Sequence, residues 1–155
     1  MTKLLIAAFF AALSIAPASA GPISLHLTAE QKTETAGADG KPVTAWTVLG
    51  TKRPVHPGDI LRYRVSAANT GIVSVSGLVV TQPVPPGTRY VPHSGEQTLL
   101  PTYSLDGRSF TARPVISSPA GPVPAAPETY TALRWRIPTL PAHASTEVVY
   151  LVRVR

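Results

Sequence analysis

Apolar and polar residues alternate along several short stretches of this chain. Across residues 61–67 the apolar side chains occupy one parity and Arg62 and Arg64 the other, and residues 133–137 and 148–154 largely repeat the pattern. A period of two is typical of a β-strand with one buried and one solvated face. The apolar faces are therefore expected to meet in the core of an antiparallel structure.

Pro and Gly clusters separate these stretches at short intervals, which favours an all-β sandwich or barrel. The 17 prolines would break most windows that could form a helix. The predicted strands are residues 23–31, 43–49, 59–69, 77–82, 88–91, 97–105, 109–113, 130–137 and 146–155.

Two turns flank the clearest of these strands. Pro57 and Gly58 are expected to turn the chain into it, and Asp59 is expected to accept hydrogen bonds from backbone amides of that turn. Asn69 and Gly71 are expected to end the strand, because both residue types tolerate left-handed backbone angles. The pattern predicts a structural role for Asp59 rather than a catalytic one.

Three further segments are predicted from their turn chemistry. Pro86 and Gly87 are expected to form a tight turn after an extended connector. Asp106 and Gly107 have the sequence of a hairpin turn. Residues 114–128 are too rich in proline for a sheet interior, so we expect a long surface loop of polyproline character.

The N-terminal segment has the features of a cleaved signal peptide over residues 1–20. Lys3 precedes an apolar run at residues 4–13, and a small-residue site that suits signal peptidase follows it. The alternative is an uncleaved N-terminal anchor. Cleavage would leave residues 21–155 as a single exported domain without a membrane span, located in the periplasm, at the cell surface or outside the cell.

The composition limits the possible chemistry. The chain has no Cys, which excludes disulfide and thiol chemistry, and its net charge of +6 favours nonspecific attraction to polyanions. The histidines are widely spaced and no Asp-rich calcium loop occurs, so neither a metal nor a cofactor is expected. Ser94 lies beside His93, but the Gly-x-Ser-x-Gly elbow of a hydrolase is missing, and the chain is not expected to be an enzyme.

Three segments resemble, in order, a known bacterial family. They read VHPGDILRYRVSAANTG, SGLVVTQPVPPGTRYV and ALRWRIPTLPAHASTEVVYLVRV, and they are similar to the conserved-repeat surface family, also called domain of unknown function 11. The similarity covers about residues 55–155. It implies an immunoglobulin-like antiparallel β-sandwich of about seven to nine strands, a cell-envelope or extracellular setting, and no enzyme activity.

The resemblance assigns structural roles to individual turn and core residues. Gln82 stands near a position where the family often has Asp, and Ala142-His143 stands where Pro-Gly is usual, which puts any acidic or metal-dependent role there in doubt. The residues that match the family's turns and core are Pro57, Gly58, Asp59, Asn69, Gly71, Pro86, Gly87 and Trp135.

Six arginines occupy the strand parity opposite the apolar one. If their strands shared a sheet, they would form a cationic patch for an anionic envelope glycan or lipid headgroup. The alternative is solvated charge that keeps the sheet soluble. Nucleic acid is an unlikely partner, because no aromatic platform accompanies these arginines. The candidate residues are Arg62, Arg64, Arg134, Arg136, Arg153 and Arg155.

The sequence as a whole predicts a noncatalytic, exported structural or interaction module of the cell envelope or surface. Its partners are expected to be envelope proteins, which edge strands or the proline-rich segment would contact. The alternative function is the binding of an anionic envelope polymer through the arginines.

Overall fold

The described chain forms ten β-strands and one short 3-10 turn. A computed structural model describes residues 22–50, 54–92 and 99–155. The predicted leader at residues 1–20 and the pair His93-Ser94 lie outside these residues. The strands are β1 (Ile23–Ala36), β2 (Pro42–Val48), β3 (Ile60–Asn69), β4 (Val75–Pro83), β5 (Thr88–Val91), β6 (Thr102–Ser104), β7 (Val115–Ile116), β8 (Val123–Pro124), β9 (Ala132–Leu140) and β10 (Ser145–Val154).

The strands are arranged in two principal sheets and one small ribbon. A five-stranded sheet has the order β2-β1-β3-β10-β5, a three-stranded sheet has the order β4-β9-β6, and β7 pairs with β8. Every pairing is antiparallel. The prediction of an antiparallel all-β protein is confirmed, whereas the prediction of about seven to nine strands is wrong. The immunoglobulin-like arrangement stays a prediction.

The two principal sheets pack face to face around a shared core. The indole ring of Trp135 on β9 lies 5.9 Å from the Tyr150 ring on β10, and the Tyr150 hydroxyl donates a hydrogen bond to the carbonyl of Pro83 on β4. The apolar parity predicted from the alternation is the buried one. The core residues are Leu61, Val65, Ala67, Val80, Tyr90, Leu133, Trp135, Ile137, Leu140, Val148, Tyr150 and Val152.

The first two strands extend beyond the sheet body as a hairpin. The pairing of β1 with β3 ends where Gln31 faces Leu61, and the remainder of β1 pairs with β2 alone. Residues 37–41 close the hairpin, with the Gly37 amide donating to the Lys41 carbonyl. The first strand is therefore five residues longer than predicted. The turn that begins at residue 37 allows the polar second half of β1 to pair with β2.

Two predictions in the second half of the chain are wrong. Residues 109–113 do not form a strand; only a single bridge joins Thr111 to Tyr103. The segment 114–128 is not a continuous polyproline loop, since it contains the β7–β8 ribbon and a 3-10 turn at Pro127–Thr129. The β-branched residues between the prolines pair across the reversal, which explains the two additional short strands.

The turn after β3 does not have the backbone geometry that was predicted. Neither Asn69 nor Gly71 has a left-handed backbone, so the predicted reason for these residues is wrong. Gly71 lies against Pro22, and a Cβ atom at this position would come within 2.6 Å of the proline Cβ. Glycine is therefore required here by close packing, and Asn69 acts through its side chain.

The turn before β3 agrees with the prediction. Gly58 has a φ of 96°, a conformation that glycine adopts without strain. A carboxylate oxygen of Asp59 accepts hydrogen bonds from the His56 amide at 2.8 Å and from the Gln31 side chain at 2.7 Å. The aspartate thus holds its own turn and joins it to β1.

In the described part of the chain, no helix has the length and apolar character needed to cross a membrane.

Candidate functional site

The six candidate arginines do not lie on one surface. Arg62 and Arg64 lie on β3 and Arg153 on β10, all in the five-stranded sheet, with Arg155 directly after β10. The remaining two, at residues 134 and 136, lie on β9 in the three-stranded sheet. Because the sheets pack through their inner faces, their outward side chains point to opposite sides of the molecule. A single patch of all six is therefore ruled out.

Arg62 and Arg64 form an ion-pair network with two glutamates. Glu30 accepts from the Nε atoms of Arg62 at 2.5 Å and Arg64 at 3.1 Å, and Glu147 accepts from Arg64 Nη1 at 2.5 Å. The register places Glu30 beside Arg62 across β1 and β3. The Arg62 guanidinium also lies 4.1 Å from the ring centroid of Trp46. These two arginines are already neutralised within the sheet, which favours a structural role for them.

The network predicts a stability difference that depends on pH. The hydrogen bond from Arg62 holds the pKa of Glu30 below its ordinary value. Because the folded-state pKa is lowered, the stabilisation is present above the unfolded pKa of about 4.3 and is lost as pH falls through the folded value. Glu30→Gln should cost about 1 to 2 kcal/mol near pH 7, and urea titrations should show that the difference shrinks below about pH 4.

Glu34→Gln is the matched control for this experiment. Glu34 also bonds a cationic side chain, Lys32, at 2.6 Å, but the pair is exposed to solvent. Exposed pairs contribute little, so this variant should unfold at the same urea concentration as the native chain. Equal losses for the two variants would contradict a stabilising role for the network around Glu30.

Arg134 and Arg136 have different surroundings on the outer face of β9. The Arg134 guanidinium lies 3.7 Å from the ring centroid of Phe110, and its Nε donates to the Thr81 hydroxyl. Arg136 is exposed beside Val79, its partner in the register. Only Arg136 of this pair has its charge turned freely to solvent among the described residues.

A cationic edge occurs where β10 pairs with β5. Arg153 lies directly opposite Arg89 in the register, and both side chains are exposed. Neither forms an ion pair with a described acidic residue. Arg155 follows on the same strand end, with its Nη2 donating to the Glu128 carbonyl at 3.2 Å. We refer to Arg89, Arg153 and Arg155 as the cationic edge. Arg89 is not among the arginines predicted from the sequence, because its strand shows no clear alternation of apolar and polar residues.

Asp106 holds the turn that was predicted at Asp106 and Gly107. One of its carboxylate oxygens accepts from the amides of Arg108 and Ser109, both at 2.8 Å, and from the Ser104 hydroxyl at 2.9 Å. The backbone hydrogen bonds from Arg108 and Ser109 lower the pKa of this carboxyl. A carboxylate with three donors on one oxygen stays ionised and acts as a turn clamp.

The remaining histidines are separate from one another. His26 lies on β1, His56 lies beside Asp59 with its Nδ1 3.9 Å from the carboxylate, and His143 lies in the turn between β9 and β10. Across residues 22–50, 54–92 and 99–155, no group of three potential metal-ligating side chains occurs.

A cleft lies between the end of β9 and the start of β10. It has a volume of about 580 Å³ and is lined by Leu99, Trp135, Leu140, Ala144 and Val148 among others. The indole nitrogen of Trp135 is buried and has no hydrogen-bond partner. An unpaired buried donor costs stability, so the packing of this ring must outweigh that cost.

No family model, curated protein or solved structure matches this chain. The similarity to the conserved-repeat surface family therefore stays a prediction from the sequence motifs.

Proposed function

We propose that this chain is a noncatalytic interaction module, exported to the cell envelope or cell surface, that binds a protein partner through a free edge of its β-sandwich. The observation that carries the proposal is the outer edge of β4, which among the described strands pairs with β9 only. Natural proteins protect exposed strand edges with charges, and β4 has none. Such an edge can accept a further strand through backbone hydrogen bonds.

The immunoglobulin-like assignment has support from three positions. Trp135 is fully buried, in agreement with the core role that the family resemblance implies. Gly58 has the left-handed backbone of the opening turn. His143 has a φ of 55°, the one described non-glycine residue with a positive φ, and it stands where the family usually has Gly. The turn geometry of the family is thus compatible with this chain despite the substitution.

The export part of the proposal rests on residues 1–20, whose basic, apolar and small-residue segments suit a cleaved leader. The absence of Cys from the sequence places all of the stability in the core rather than in disulfides. A fold that does not depend on redox state can operate in an oxidising compartment.

A pull-down from envelope extract tests the proposed function. The tagged full-length chain, recovered from the envelope or the medium, is incubated with extract and washed at low and then at high salt. A discrete protein should remain after the wash at 1 M salt, where screening shortens to about 3 Å. Retention of no protein at either salt concentration would overturn the proposal.

The cationic edge favours anion binding as a second candidate function. Like charges directly opposite each other across strands destabilise a sheet, and an anion between Arg89 and Arg153 would relieve that repulsion. In the same experiment, an acidic polysaccharide and vesicles with anionic lipid serve as probes. The double variant Arg89→Gln/Arg153→Gln should lose binding, whereas the control Arg113→Gln/Arg136→Gln, which removes the same charge elsewhere, should keep it. Equal loss in both variants would mean nonspecific attraction.

A further inference from the structure

Along one side of the sandwich, the five-stranded sheet extends beyond the three-stranded sheet by β1 and, from Glu30 onward, also by β2. Ring contacts join β9 to β10 and β5 to β6, so the three-stranded sheet covers β10, β5 and, with β4, the adjacent strand β3. The next strand, β1, has no strand of the three-stranded sheet opposite it. Each sheet therefore ends in a step.

Two leucines are left uncovered by this step. Leu25 and Leu27 face Ala67 and Val65 in the register, and those two partners are buried in the core. The leucines thus point to the inner side of the sheet, yet they are 54% and 51% exposed. Half-exposed leucines on the core side of a strand indicate a missing covering layer.

Two further apolar side chains lie at the same side. Ile72 and Val73, in the loop between β3 and β4, are 85% and 71% exposed. The loop is fixed beside the start of β1, because the Thr70 amide donates to the Pro22 carbonyl at 2.7 Å. The exposed apolar surface therefore continues from β1 to the loop that leads into β4.

Within the described part of the chain, the backbone edges at the step are also without partners. Among residues 22–50, 54–92 and 99–155, β2 pairs with β1 only from Glu30 onward, so no described strand pairs with the outer edge of residues 23–28, and none pairs with the outer edge of β4. Residues 23–28 and 75–83 contain no Lys, Arg, Asp or Glu. In a chain of net charge +6, this is a side where two copies can approach without charge repulsion.

We propose that a second copy of this chain occupies the step. A two-fold rotation about an axis parallel to the strands places β1 of each copy beside β4 of the other, in the position where the three-stranded sheet lacks a strand. Both strands run opposite to β3, so this pairing is parallel. Leu25 and Leu27 of one copy then cover the same leucines of the other. Such an isologous contact uses both free edges of both copies.

The shape of the step favours a second copy over an unrelated folded domain. The gap beside β4 has β1 beneath it at the usual sheet spacing of about 10 Å. A partner whose two sheets end at the same position would therefore overlap with β1 when one of its strands pairs with β4. Another copy has the complementary step, with the free strand on the opposite layer. This inference rests on the proposed function, because it names the partner of the same strand edge.

Sedimentation of the full-length exported chain over a dilution series tests the proposal. We expect a dimer that dissociates on dilution, and a two-fold lower mass for Leu27→Glu at concentrations where the native chain is dimeric. The control Val115→Glu alters a side chain that is equally exposed, on β7, and should remain a dimer. Circular dichroism of both variants checks that the β-structure is retained.

A cross-linking measurement locates the contact independently of stability. Since the chain has no Cys, Leu27→Cys introduces a single thiol, and a short bismaleimide should link two copies through it. Val115→Cys should give no linked dimer. A native chain that is monomeric throughout the series, or a Leu27→Glu variant that still dimerises, would overturn the second copy as partner. A monomer that still retained an envelope protein at high salt would leave the proposed function standing.

Discussion

Replacing Trp135 with Ala is expected to lower the free energy of unfolding by about 3 to 5 kcal/mol. The indole is fully buried, and it packs between the sheets at 5.9 Å from the Tyr150 ring. Its removal leaves a cavity next to the cleft between β9 and β10 that the surrounding strands cannot fill without moving. Urea denaturation followed by circular dichroism measures the loss.

Trp46→Ala is the control for this substitution. Trp46 is only partly buried, on the outer face of the β1–β2 hairpin, and its ring contacts the Arg62 guanidinium. A cation–π contact of this kind contributes about 0.5 to 1 kcal/mol, so the loss should be clearly smaller. If the two substitutions lowered the free energy of unfolding equally, Trp135 would not be the centre of the core.

Trp135→Phe separates packing from the unpaired indole N–H. This variant keeps an aromatic ring between the sheets and removes the donor that has no partner. It should retain much of the stability that the Ala variant loses. A loss as large as that of the Ala variant would mean that the full indole volume, rather than aromatic packing in general, determines the stability of the core.

The alternation in the sequence predicted the part of the core that lies on β3, β9 and β10. Leu61 and Val65 on β3, Leu133 on β9 and Val152 on β10 are buried as their parity predicted. Strand parity is a local property, because successive side chains point to opposite faces whatever the partner strand is. Strand parity alone could not show which strands are neighbours in a sheet or which residues lie opposite each other across them.

The candidate site required that missing information. Glu30 lies far from Arg62 in the sequence, and only the register of β1 against β3 brings the two together. Arg153 and Arg89 become neighbours through the pairing of β10 with β5. Cross-strand neighbours are fixed by tertiary register rather than by local pattern. The sequence therefore predicted that these arginines point outward. It could not show that Arg62 and Arg64 form ion pairs whereas Arg153 lies at the cationic edge.

The uncovered leucines of β1 show the same limit. Leu25 and Leu27 lie in the predicted strand at residues 23–31, and their side chains point toward the inner side of the sheet. Their exposure arises from the unequal number of strands in the two sheets, which no stretch of β1 encodes. Whether a side chain on the inner side of a sheet is buried or exposed thus depends on strands that are remote in the sequence.

Asn69→Ala is expected to cost about 3 kcal/mol, because several buried polar groups would lose their partners at once, each at about 1 to 3 kcal/mol. The Asn69 side chain is 1% exposed. Its Nδ2 carries two hydrogens and lies 2.8 to 3.1 Å from the carbonyl oxygens of Val73, Leu140 and Pro141, so one hydrogen is shared between two of them, and its Oδ1 accepts from the Gly71 amide. One amide therefore ties the end of β3 to the end of β9 in the other sheet.

Asn69→Asp adds a test of the donors alone, since the carboxyl can still accept from the Gly71 amide. Three carbonyl oxygens and burial disfavour an ionised group here, so the folded-state pKa of the new carboxyl should lie above its unfolded value. Stability is then lost as pH rises, and the variant should be less stable at pH 7 than at pH 4 relative to the native chain.

Thr70→Ala is the control, because it removes an exposed hydrogen bond from the Thr70 hydroxyl to the Pro22 carbonyl. Its free energy of unfolding should stay within about 0.5 kcal/mol of that of the native chain at both pH values. If Asn69→Asp showed no such pH dependence, the amide would not be the link between the sheets, and the apolar core alone would hold them in register.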